Sequence, residues 1–226
     1  MLKRLFLPIF FSLLLLFVNV AVSDSQHISN MPLAPKCISE SCQLIASKKN
    51  WPKATRKEDA LLFNLGPVKF RLSPNPTEVI ALPMGMATLR YGEKSIVVHR
   101  QSVETVNELA IKGLFDRASF TITDIPKIVF THAANETEPV NRSDRFLWRY
   151  AMFLKQTHFE GTDQLMWVER AGLRVFYGLR KGSNDNVVMF ITQKQSLSEY
   201  LQVVAFGYSL SEFEKQILPH IFSYSE

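Results

Sequence analysis

The chain has 226 residues, 46% of them hydrophobic and 21% charged, a composition that fits one globular domain or two small ones. Its net charge of +5 falls to +3 once Lys3 and Arg4 are set aside, a mild balance that does not suggest a nucleic-acid binder, for which a concentrated basic face is expected. The nine glycines are not clustered, which excludes a glycine-rich phosphate loop.

Residues 1–23 carry the strongest local signal. Lys3 and Arg4 precede an apolar run from Leu5 to Val18, and Ala21-Val22-Ser23 puts small residues on either side of Val22 just before Asp24. That order reads as a cleaved secretory signal peptide and predicts a periplasmic or secreted protein. The rival reading is a retained anchor. The stretch from Leu5 to Val22 approaches the length of about 20 residues that a span requires, but Pro8, Ser12 and Asn19 interrupt it. No later segment is long and apolar enough to cross a bilayer, so the mature form is expected not to be membrane-spanning.

Residues 24–59 read as a loop-rich extension, broken by Pro32, Pro35 and Pro52, with room for a short helix at Glu40–Lys49. Cys37 and Cys42 lie close together, and in an exported chain such a pair predicts a disulfide. A redox or metal pair is the alternative, but redox cysteines usually stand two residues apart at a helix start. Lys48, Lys49, Lys53, Arg56 and Lys57 then surround Trp51. Bases interleaved with an aromatic suit anionic headgroups or an acidic partner, whereas the plain reading is a solvated linker face.

From residue 60 to residue 226 the pattern predicts one α+β domain. Leu61–Leu65, Val68–Leu72, Val79–Leu82, Ala87–Tyr91 and Ser95–His99 read as strands, the last two closed by a Gly92-Glu93 turn. Val103–Phe115 has helical spacing, whereas Phe120–Ile122 and Ile128–Phe130 read as extended. A second helix is predicted from Arg145 to about Gln156, capped by Ser143 or Asp144. Gln164–Arg170, Leu173–Leu179, Val187–Thr192 and Tyr200–Phe206 follow as strands. The last helix opens on a capping box, Ser209 with Glu212, and Pro219 bends or ends it. Short strands and tight turns predict a single antiparallel sheet packed by about three helices, an α/β/α sandwich.

Catalytic and metal signatures are weak. No Gly-x-Ser-x-Gly elbow occurs, and the five histidines are scattered, with no zinc spacing among them. His158, Glu160 and Asp163 surround Gly161 and read as a metal triad or, more simply, a solvated turn. Met84 and Met86 read as a copper pair or as core filler. His99 or His158 with Asp124 or Asp163 is the pairing a hydrolase would need. No catalytic, cofactor or metal residue is assigned. Arg142, Arg145 and Arg149 stand at helical spacing and share a face that could grip carboxylates or phosphates. Asn135-Glu136-Thr137 and Asn141-Arg142-Ser143 mark an exposed polar loop.

One stretch resembles a known family. Val187–Ile191, Tyr200–Gly207 and Ser209–Phe213 leading to Leu218 and Ile221 are similar to the closing strand–strand–helix of PsbP-like proteins. The resemblance implies an α/β/α sandwich and a non-catalytic accessory or assembly role, and it carries over no functional residue. The weak catalytic signatures, the compact α+β core and the basic extension lead to the function expected, that of an exported, non-enzymatic accessory or interaction protein of the bacterial envelope, touching an envelope protein or an anionic surface. A periplasmic hydrolase and a carrier of small molecules or lipids are the alternatives.

Overall fold

The computed structural model describes residues 33–54, 61–65, 68–72, 74–82, 85–104, 114–181 and 185–223. The leader, His27, Arg56, Lys57, Met84 and most of the helix expected over Val103–Phe115 lie outside the described residues.

Among the described residues, eleven strands and three α-helices run in the order β1 (Ser47–Lys48), β2 (Leu61–Leu65), β3 (Val68–Leu72), β4 (Glu78–Leu82), β5 (Met86–Tyr91), β6 (Lys94–Ser102), α1 (Asp124–Thr131), α2 (Arg142–Phe159), β7 (Leu165–Arg170), β8 (Leu173–Arg180), β9 (Asn186–Gln193), β10 (Glu199–Phe206), α3 (Leu210–Gln216) and β11 (Ile221–Ser223). The α+β class holds, but the single antiparallel sheet does not. Eight strands form a sheet in the order β1-β7-β8-β9-β10-β6-β5-β4, and β11-β3-β2 form a separate three-stranded sheet. The large sheet is mixed, because β1 runs parallel to β7 while its other pairs are antiparallel. The second sheet arises because β3 finds its other partner at the far end of the chain, where Ile221 faces Phe70. Pairing of that reach leaves no mark in local sequence.

Both faces of the large sheet are covered, which is why the central strands β9 and β10 are buried almost throughout. On one face, Tyr177, Met189 and Val203 meet Phe213, Ile217 and Leu218 together with Val68 and Phe70 of the small sheet. On the other, Phe176, Phe190 and Val204 meet Val129 and Phe130 of α1 and Leu147, Ala151 and Phe159 of α2. Phe130 lies against Phe159, Phe176 and Phe190 with ring centroids 5.1, 5.2 and 5.8 Å away.

Two local expectations are corrected. Ile128–Phe130 is helical, not extended, as part of α1. A short apolar run fits either state, and Pro126 falls in the first turn, where a missing N–H costs nothing. Helix α2 starts earlier than predicted, and its cap is Asn141, whose Oδ1 accepts from the Ser143 amide at 2.8 Å. Asp144 instead turns away to accept from the Ser119 amide and hydroxyl, both at 2.7 Å. The capping box of Ser209 and Glu212 is present as read, and the chain leaves α3 through a 3-10 turn at Leu218–His220 that contains Pro219.

Candidate functional site

Residues 33–54 form a strap laid along one edge of the sheet. The expected helix at Glu40–Lys49 shrinks to a 3-10 turn, Glu40–Gln43, followed by extended chain. Cys37 and Cys42 are joined in a disulfide with their Cα atoms 5.9 Å apart, and Cys42 is fully buried. Backbone bonds then dock the strap. The Ala134 amide donates to Cys42 O at 2.9 Å, the Ala46 amide to Phe130 O at 2.7 Å and the Lys49 amide to Trp167 O at 2.8 Å.

The anchor beneath the strap is Lys155, which is wholly buried. Its ammonium donates to Leu44 O and, at 2.6 Å, to His132 O. Both carbonyls are C-caps, one of the 3-10 turn and the other of α1, so the cation sits at two negative helix ends. Burial pulls the Lys155 pKa down to about 8, and the Glu136 carboxylate opposes that shift. Burial pushes Glu136 up, but the Ala133 amide and His132 outweigh it, and its carboxyl lies below the ordinary range. Glu136 also holds His132 Nδ1 at 2.6 Å, and that ring packs edge-on against Trp148 at 4.9 Å.

Along the strap's other border, cations lie over aromatic rings. Lys48 Nζ stands 4.9 Å from the Trp167 centroid, and the Arg174 guanidinium is 5.1 Å from the same ring. Arg170 covers Trp51 at 4.7 Å and Phe222 at 4.9 Å. Register explains the first group: Lys48 is the direct partner of Trp167 across β1 and β7, and Arg174 is paired with Glu169, two residues along β7. Arg174 also donates to Glu169 at 3.0 Å.

The basic residues expected to meet an anionic partner therefore divide. Lys48 and Lys53 are exposed, while Lys49 is held by Glu214 at 2.8 Å, an oxygen that also accepts from Tyr177. On α2, Arg149 grips both oxygens of Glu138 at 3.0 Å. Arg145 donates to Pro139 O and Val140 O, and Arg142 is exposed at the helix start.

The histidine–carboxylate pairs a hydrolase would need are not brought together. His158 is buried and bonds Gln202 at 2.9 Å, and Asp163 pairs with Lys181 at 3.1 Å. His99 bonds Gln101 at 2.8 Å, and Asp124 accepts from the Thr121 amide and hydroxyl at 2.8 and 2.9 Å. Among the described residues, no three His, Cys, Asp or Glu side chains gather as metal ligands. Burial, with Arg180 nearby, lowers the His158 pKa to about 4, and burial alone lowers that of His99.

Lys155, Arg170 and Arg174 were not singled out by sequence, whereas Lys48 was. The signal for Lys155 was present: Trp148, Ala151, Lys155 and His158 recur at three and four residues along α2, on its buried stripe. Among the described residues, no helix is long and apolar enough to cross a membrane. No protein-family model matches the chain, and no curated protein matches it.

Proposed function

We propose that the chain is an exported, non-enzymatic accessory or interaction protein of the bacterial envelope, which holds an anionic partner against the strap and the adjoining β7–β8 hairpin. The observation that carries this reading is the cation–aromatic series, with Lys48 and Arg174 over Trp167 and Arg170 over Trp51. The ring beneath each cation restricts its motion before binding, and Arg174 is further held through Nε and Nη2 by Glu169 and Arg170 through Nη2 by Ile221 O. Export is supported by the leader and by the Cys37–Cys42 bond, since disulfides persist in oxidising compartments. The PsbP-like resemblance of the last strands and helix fits an accessory role on an α/β/α sandwich.

Binding to soluble poly-L-glutamate, followed by fluorescence anisotropy at low salt, tests the reading. The wild-type chain binds and is released as salt rises, because exposed charge pairs are screened. Lys48→Glu with Arg174→Glu weakens binding by about tenfold, the scale of two surface charges reversed. No binding at low salt overturns the reading.

A further inference from the structure

Building on the anionic-partner reading, we propose that the strap docks on an anionic phospholipid bilayer, with Ile38 and Ile45 entering the interface and Lys36 and Lys53 meeting headgroup phosphates. Ile38 is 86% exposed and Ile45 is 59% exposed. An exposed isoleucine on a loose loop would need no explanation, but neither of these is loose. Ile38 lies inside the ring closed by Cys37 and Cys42, and its amide donates to Gln156 Oε1 at 3.2 Å. Ile45 lies between Leu44 and Ala46, which pack onto the core, so the alternation of extended chain turns it outward. Lys155 and the Phe130 carbonyl fix the backbone on either side of it. The apolar groups are thus held out on a backbone ordered in advance, which removes part of the entropy cost of docking.

The charges on the same segment match such a surface. Over residues 33–54 the bases are Lys36, Lys48, Lys49 and Lys53, and the one acid is Glu40. Lys49 is engaged by Glu214 and Lys48 lies over Trp167, on the side of Leu44 and Ala46, whereas Lys36 and Lys53 are exposed. An acidic protein would use the cations alone and leaves the two isoleucines unexplained. A bilayer interface uses both, because apolar side chains enter the acyl boundary while lysines meet anionic headgroups.

The test is co-sedimentation of the full mature chain with vesicles of phosphatidylcholine alone or mixed with phosphatidylglycerol, with poly-L-glutamate binding measured in parallel. The chain pellets with the mixed vesicles and not with phosphatidylcholine alone. Ile38→Ser with Ile45→Ser weakens vesicle binding by about tenfold, the scale of two partly buried isoleucines, and leaves poly-L-glutamate binding unchanged. Both positions are exposed, and circular dichroism checks that the variant folds. Binding to poly-L-glutamate without vesicle binding overturns the lipid proposal and leaves the anionic-partner reading standing. Binding to neither removes both. Vesicle binding that the isoleucine variant does not weaken overturns the strap as the inserting element.

Discussion

Lys155 is the side chain on which the strap, α1 and α2 converge. A buried ammonium is expensive unless its protons are satisfied, and here two helix-end carbonyls take them, from Leu44 and His132. Lys155→Met keeps most of the apolar stem but leaves both acceptors unsatisfied in a dry site. The expected cost is about 2–4 kcal/mol, from one to two orphaned buried carbonyls less the relief of burying a charge. Urea unfolding measures it. Hydrogen exchange locates it, because the Ala46 and Ala134 amides, which bond Phe130 O and Cys42 O, lose protection before the central strands do. An unchanged urea midpoint would mean that the ammonium contributes no net stability and that the strap is held by its other contacts, among them its backbone bonds and the Lys49–Glu214 pair.

Elements whose pattern is complete within a few residues were legible, and those fixed at a distance were not. Strands β5 to β10 were read because apolar runs end at turns such as Gly92-Glu93 and Ala171-Gly172, and α3 because Ser209 and Glu212 cap it within four residues. The small sheet was missed because Phe70 and Ile221 meet only once the chain has folded. The strap's docking was missed because its partners are backbone carbonyls of Phe130 and Trp167, groups that carry no sequence signature. Gly178, in mid-strand β8, belongs to the same class. A Cβ there would stand 2.8 Å from Leu165 Cδ2 and 3.0 Å from the Phe159 ring. The bare backbone is what lets the last residue of α2 press onto the sheet. Gly178→Ala gains strand propensity but pushes the Phe159 ring, and with it the C-terminal turn of α2, off its seat. The expected loss is about 1–3 kcal/mol, the usual scale for overpacking a filled core. Thermal denaturation measures it, and a neutral or raised Tm would show that Phe159 moves at no cost.

At the scale of the whole molecule, the packing of helices on both faces makes stability depend on pH through groups that burial forbids to charge. His158 lies under α2 against Phe190, bonded to Gln202, with its pKa lowered to about 4 by burial and by Arg180. In the unfolded chain the same ring titrates near 6.5, so between those values the unfolded state binds the extra proton and the folded state does not. Stability is therefore complete above pH 6.5 and declines as pH falls through 6.5 towards 4, by at most about 3 kcal/mol at 1.36 kcal/mol per pH unit. His99, lowered by burial too, acts in the same direction. Glu212 is held down to about 2 by Lys94 and the Ser209 amide, and its contribution fades only lower, between pH 4.5 and 2. The two windows can be separated. His158→Gln retains a partner for Gln202 and carries no proton to gain, so its unfolding free energy, measured in urea at half-unit pH steps, falls less steeply from 6.5 to 4, with the His99 contribution remaining, while the later fall persists. A variant curve parallel to that of wild type down to pH 4 would move the acid sensitivity away from the α2–sheet interface.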